Sequence, residues 1–325
     1  MGGLRAVLAL ASVLCAVPGV AAASTVTADP ATNHAVFTGG ADPNDVTMSS
    51  RGVGAPFEGP ALWFIDAAQE LTAGTGCVAG LPVWCQAFHA QVNLEGGDDR
   101  YSAFSDGQID IDGGTGKDHI DVNGNDNVAS GGSGADWLRV GGNISGTGYG
   151  DGGHDDIRSF ASASTVLGGG SGDDLVYGER PRNQLSGDGG HDALILGGAV
   201  FSATVTGGSG DDVVLARSTQ SRVSVGSSGG KGRDLIVGQP GGRDTVSGGR
   251  DDDVIDVSGD PRPPDSTLDP DTVDCGSGDD VVYADADDVV ADDCENRLES
   301  PMPSSNRVDA ALARLADAFG VTIGS

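Results

Sequence analysis

Apolar residues recur along the middle of the chain at a fixed place relative to a glycine–aspartate loop. Nine segments align on one aspartate, among them GGTGKDHI (Gly113–Ile120), GGSGADWL (Gly131–Leu138), GGSGDDLV (Gly169–Val176), GGSGDDVV (Gly207–Val214) and GGKGRDLI (Gly229–Ile236). In each the eighth position is aliphatic: Ile120, Leu138, Ile157, Val176, Leu194, Val214, Ile236, Ile255 and Val282. A second aliphatic residue often lies two positions before the loop, as at Ile111, Leu167, Leu185, Val205, Val246 and Val273. This pattern predicts two short strands flanking each loop, with one inward side chain apiece.

The aligned aspartates are Asp118, Asp136, Asp155, Asp174, Asp192, Asp212, Asp234, Asp253 and Asp280, spaced 18, 19, 19, 18, 20, 22, 19 and 27 residues apart. A short period repeated nine times means a solenoid. Asp99, 19 residues before Asp118, marks a degenerate first repeat. The 27-residue step before Asp280 contains Pro261, Pro263 and Pro264, and is expected to interrupt the stack.

The loop composition carries the chemistry. Glycine at the first, second and fourth positions admits positive φ and lets main-chain carbonyls turn toward one point. The sixth-position aspartate adds charge. Calcium takes six to eight oxygen ligands, and such a set of carbonyls and carboxylates supplies them. The expected metal-site residues are the nine aspartates with Gly113, Gly131, Gly169, Gly207, Gly229 and Gly248. Asp151 and Asp188, at the second position, read as extra ligands or as solvated turn residues.

These segments resemble the G-G-x-G-x-D-x-U-x nonapeptide of hemolysin-type (RTX) calcium-binding repeats. The resemblance covers Gly113 to Val282 and implies a right-handed parallel β-roll with calcium held between stacked loops. In the family's fullest form both sides of the roll carry such loops. Here the intervening half-turns are usually not rich in glycine and aspartate, as in Ser159–Val166 and Arg217–Val225; Asp126 and Asp244 are partial exceptions. One column of up to about eight ions is therefore expected, at a strand spacing of about 4.8 Å, with a second side that is mostly empty.

Composition agrees with a charged, glycine-rich repeat: 55 glycines, 14 prolines and a formal charge of −30. That charge repels nucleic acid and anionic membranes. Residues 1–23 have the layout of a secretory signal peptide, with Arg5, an apolar run from Ala6 to Val17 and Ala21–Ala23 before the expected cleavage point. The run is too short to span a bilayer. Residues 24–100 read as an N-terminal β cap, 101–295 as the roll and 296–325 as a tail. In the tail Val308, Leu312, Leu315 and Phe319 have helical spacing. With Cys15 removed, four cysteines remain, and proximity pairs Cys77 with Cys85 and Cys275 with Cys294 as disulfides of an exported protein. Four cysteines allow three connectivities. Together with the Cys-containing N-terminal segment, the C-terminal repeat resembles secreted calcium-binding proteins of actinobacteria.

Catalytic signatures are weak. Gly226-Ser-Ser-Gly-Gly satisfies G-x-S-x-G only by glycine abundance, and no H-E-x-x-H is present. Acidic pairs such as Asp173–Asp174 and Asp211–Asp212 could mimic a glycosidase pair, but they recur at every turn. His119, His154 and His191 read as solvated loop residues. The expected function is a non-enzymatic, calcium-dependent structural or surface-binding module, with extracellular matrix or cell-surface glycans as partners. A polysaccharide-acting enzyme on a solenoid and a hemolysin-like toxin are the alternatives.

Overall fold

A computed structural model describes residues 24–50, 60–142, 144–161, 164–179, 182–198, 202–216, 224–238, 242–258 and 270–298. The expected signal peptide and C-terminal helix lie outside the described residues. Within them the chain is all-β and forms a solenoid of two long sheets, one of 14 strands and one of 15. Each coil contributes one strand to each sheet. The strand before the loop joins the upstream sheet and the strand after it joins the downstream sheet, so sheet neighbours are alternate strands in the chain. From His89–Asn93 onward every pairing along the two stacks is parallel.

The register follows the hydrophobic pattern. Ile120, Leu138, Ile157, Val176, Leu194, Val214, Ile236, Ile255 and Val282 are all fully buried, and they stack on one another coil by coil. Ile111, Leu167, Leu185, Val205, Val246 and Val273 face them from the upstream sheet. A one-residue slip would turn each column to the outer face, which is why the register is strongly specified.

The N-terminal segment closes one end. Thr25–Asp29 pairs antiparallel with His34–Thr38, and Asp45–Ser49 pairs antiparallel with Leu62–Asp66. His34–Thr38 and Asp45–Ser49 then seed the stacks by parallel pairing with His89–Asn93 and Arg100–Phe104. Larger side chains fill this end, with Phe37, Met48, Leu62, Phe64 and Tyr101 fully buried. Cys77 and Cys85 are bonded across an antiparallel pair of strands. Cys275 and Cys294 are bonded at the opposite end.

The expected break before Asp280 does not occur. Thr245–Arg250 pairs in register with Thr272–Ser277, and Val254–Asp256 with Val281–Tyr283. The extra residues enter at the corner away from the aspartate loop, between the strands Val254–Asp256 and Thr272–Ser277. Lengthening a surface connection costs little, so the coils on either side still stack.

Candidate metal centre

The turn from upstream to downstream strand is the aspartate loop, and stacking turns it into a continuous column. Ten aspartates stand in line: Asp99 and the nine at the sixth position. All are buried, none more than 2 % exposed. One carboxylate oxygen, Oδ1, accepts the main-chain N–H of the aligned aspartate in the preceding coil. Asp99 donates to Asp118 at 2.8 Å, Asp118 to Asp136 at 2.7 Å, Asp155 to Asp174 at 2.8 Å, and the ladder runs on to Asp253 and Asp280 at 2.8 Å. The ends are capped by residues that sequence reasoning missed. Asn44 donates its N–H to Asp99 at 2.5 Å, and Asp280 donates to Glu295 Oε2 at 3.1 Å. Asp280 thus continues the main column and does not form a separate coil.

The second oxygen is treated differently. Oδ2 of Asp99, Asp118, Asp136, Asp155, Asp174, Asp192, Asp212, Asp253 and Asp280 is buried and accepts no hydrogen bond. Nine buried anionic oxygens without donors would be costly unless something else neutralises them.

The glycines show where that second oxygen points. A Cβ placed on Gly207 would lie 2.5 Å from Asp212 Oδ2 and 2.5 Å from the Gly229 carbonyl oxygen. On Gly131 it would meet Asp136 Oδ2 at 2.6 Å and the Gly150 carbonyl at 3.0 Å, and on Gly248 Asp253 Oδ2 and the Cys275 carbonyl, both at 2.5 Å. Gly113, Gly169 and Gly229 likewise face the carboxylates of Asp118, Asp174 and Asp234. In the loops of Asp118, Asp136, Asp155, Asp174, Asp192, Asp212 and Asp253 a carboxylate oxygen and a carbonyl of the next coil thus meet beside the first glycine. Glycine leaves the space there, although Cys275 takes that place in the Asp280 loop. At the fourth position glycine suits the conformation, since Gly134 has φ +156° and a side chain would strike the Gly116 carbonyl; Asp251 holds that place in its own loop at φ +77°.

Burial sets the electrostatics. It pushes the carboxyls of Asp174 and Asp212 up to about 8, those of Asp118 and Asp253 to about 7, and those of Asp155 and Asp192 to about 6. The N–H bond to Oδ1 opposes this rise, while neighbouring aspartates in the column reinforce it. No three His, Cys, Asp or Glu side chains converge as a metal cluster among the described residues. The donor set is instead one carboxylate per loop plus main-chain carbonyls. It is made of oxygen alone, which suits a hard cation that accepts many ligands.

Other expected residues have structural places. Asp151 and Asp188 are exposed at φ +73° and +72°, their carboxylates meeting Ser130 and Ser186. Asp126 is exposed and meets Ser145; Asn127 takes the buried corner position instead. That opposite corner reads Asn127, Gly146, Thr165, Asn183, Ala203, Val225, and then Asp244, Asp271 and Asp288. The last three repeat the N–H ladder at 2.8–3.0 Å. Asp271 and Asp288 were hidden from the sequence reading by the proline-containing insertion.

The fifth loop position, read as solvated, carries a second ladder in the opposite sense. His154 Nδ1 accepts the Asp173 N–H at 2.9 Å, Asp173 Oδ1 accepts that of His191 at 2.9 Å, and His191 Nδ1 accepts that of Asp211 at 2.8 Å. His119 stacks on Trp137 with ring centroids 4.1 Å apart. In the acidic pairs Asp173–Asp174 and Asp211–Asp212 only the second member is buried. The G-x-S-x-G match lies inside the strand Ser224–Lys231, paired on both sides. Comparison with protein-family models, curated proteins and solved structures yields no match, so the chain is described by its geometry: a two-sheet β-solenoid with a column of buried aspartates.

Proposed function

We propose that this chain is a secreted, non-enzymatic calcium-binding β-roll of the hemolysin-type (RTX) kind, which folds on metal binding and serves as an extracellular structural or surface-binding module. The observation that carries the reading is the column of buried Oδ2 atoms without hydrogen-bond donors, seven of which share the space beside a loop glycine with a carbonyl of the next coil. Asp118, Asp136, Asp155, Asp174, Asp192, Asp212, Asp234, Asp253 and Asp280 would hold the ions with the loop carbonyls. Calcium, when bound, supplies positive charge to carboxylates that otherwise repel one another in a low-dielectric interior.

The residues then do the folding work. Each coil has only a few inward aliphatic side chains, a thin core for a glycine-rich backbone that is entropically costly to order. The Oδ1 ladder spaces the loops, and the inward columns hold the register. Binding to the folded state alone makes metal affinity into folding free energy. Two disulfides support an oxidising, extracellular setting.

Calcium titration of metal-free protein tests this by circular dichroism, calorimetry and small-angle scattering. We expect strand signal and compaction to rise together, with half-saturation in the range of about 10⁻⁴–10⁻³ M common for extracellular sites. A metal-free chain with the same spectrum and radius as the calcium-treated one would overturn the proposal.

A further inference from the structure

The outer face of the downstream sheet changes character along its length. Residues at the seventh and ninth loop positions point outward here, opposite the buried eighth. In the first coils they are polar or aromatic, such as Asp121, Trp137, Arg139 and Arg158, and are half-buried. From the Asp174 coil onward the seventh position is aliphatic throughout, as is the ninth at Ile195, Leu215 and Val237. Leu175, Ala193, Val213, Leu215 and Leu235 form a cluster separate from the core between the sheets, with Ile195 packed against it.

Their burial is anomalous for this position. Val213 and Leu215 are each 4 % exposed, Ala193 1 % and Leu235 5 %, whereas Trp137 and Val281 at the seventh position of other coils are half-buried. Every named strand among the described residues belongs to one of the two sheets, so none of them lies across this face.

We propose that the C-terminal segment, residues 299–325, docks along this stripe. The strand Asn296–Leu298 is the outermost of the same sheet, three strands from Leu235–Val237. That is about 14 Å at the usual spacing. Residues 299–306 can extend about 26 Å, enough to carry residues 307–319 onto the stripe. Val308, Leu312, Leu315 and Phe319 recur there at helical spacing, the pattern of a segment with one apolar face. A helix over residues 307–319 would be about 20 Å long, and the stripe from Leu175 to Leu235 spans three strand spacings, about 14 Å.

The other segments fit less well. The connection at 199–201 is too short to cross three strands, and 217–223 must leave and return to one corner. Residues 259–269 offer a single aliphatic side chain, Leu268. Residues 1–23 precede Ser24, whose hydroxyl lies 2.8 Å from both Asn44 Oδ1 and Asp66 Oδ2 at the far end of the roll. The stripe exists only where successive coils are stacked in register, so the segment recognises the assembled roll and straps its central coils together. The docking stands whichever cation fills the loops.

Two experiments on the full chain, in its β-sheet form, test it. A photo-crosslinking p-benzoylphenylalanine in place of Leu315 should give intramolecular products on the strands Val213–Ala216 and Leu235–Val237. Crosslinks confined to other surfaces, or formed between two chains so that a second copy covers the stripe, would overturn the assignment. The paired change Leu312→Asp with Leu315→Asp should raise binding of a hydrophobic dye several-fold while strand circular dichroism persists; Thr204→Asp, on the outer face of the other sheet, should not. Unchanged dye binding in a folded double variant would also overturn it. If that variant does not fold, the crosslinking result decides.

Discussion

Each sixth-position aspartate does two jobs with its two oxygens. Oδ1 closes a main-chain hydrogen bond between coils, and Oδ2 presents charge to the loop interior. Asp174→Asn separates them. The amide oxygen can still accept the Asp155 N–H, while the amide nitrogen meets carbonyls where the anion stood. We predict that this variant lowers calcium affinity about tenfold or more, because ligand charge tunes such sites, yet makes the metal-free chain more resistant to urea at pH 8. Calorimetry and urea unfolding without metal check the two halves. The same chemistry sets a pH dependence. Asp174 and Asp212 are raised to about 8 and Asp118 and Asp253 to about 7, from an ordinary value near 3.8. A carboxyl raised on folding contributes stability that is full below its unfolded value and is lost as pH rises through its folded value. Metal-free protein should therefore hold more strand structure at pH 4–5 than at pH 8, whereas calcium binding strengthens as pH rises. Circular dichroism of metal-stripped protein across that range measures the sign.

At the scale of one loop and its two strands, glycine is favoured for a different reason at each position. At the first position the missing Cβ leaves room for oxygens. Gly207→Ala would push a methyl group against Asp212 Oδ2 and the Gly229 carbonyl, 2.5 Å from each. We expect a loss of about 1–3 kcal/mol, the usual range for overpacking, together with weaker calcium binding. Gly226→Ala is the matched control, because its nearest neighbour would be the Ala203 carbonyl at 4.0 Å. Thermal unfolding in calcium should separate the two by several degrees. The inward columns are equally specific: Leu194→Ala should cost about 2–5 kcal/mol, since Leu194 is fully buried between Val176 and Val214.

For the molecule as a whole, stability is the sum of coil-to-coil interfaces, so the ends matter more than the middle. The antiparallel cap and the Cys77–Cys85 bond close one end. At the other, the Cys275–Cys294 bond closes a 19-residue step across the final coil. Replacing both of these cysteines by serine should remove about 3 kcal/mol, the loop-entropy value for that length. Hydrogen exchange should rise first from Asp271 onward and leave the Asp174 coil protected; uniform loss of protection would show that the bond braces the entire roll.

The repeat was legible in the sequence because its two constraints are local. A loop that bends tightly needs glycine at set places, and a strand with one inward side chain needs an aliphatic residue at a set offset. Those rules located the strands, the aspartate column and the degenerate repeat at Asp99, while proximity along the chain suggested the two cysteine pairs. What depends on stacking was not legible. The 27-residue step looked like a break because spacing along the chain was taken for spacing in space, yet the coils on either side pair as if the insertion were absent. The caps Asn44 and Glu295, the short column Asp244–Asp271–Asp288 and the histidine–aspartate ladder at the fifth position arise only when residues 15 to 55 apart in sequence come into register on neighbouring coils. The outward stripe from Leu175 to Leu235 arises in the same way. Its members are single aliphatic residues in sequence, and only parallel stacking at the strand spacing merges them into a surface.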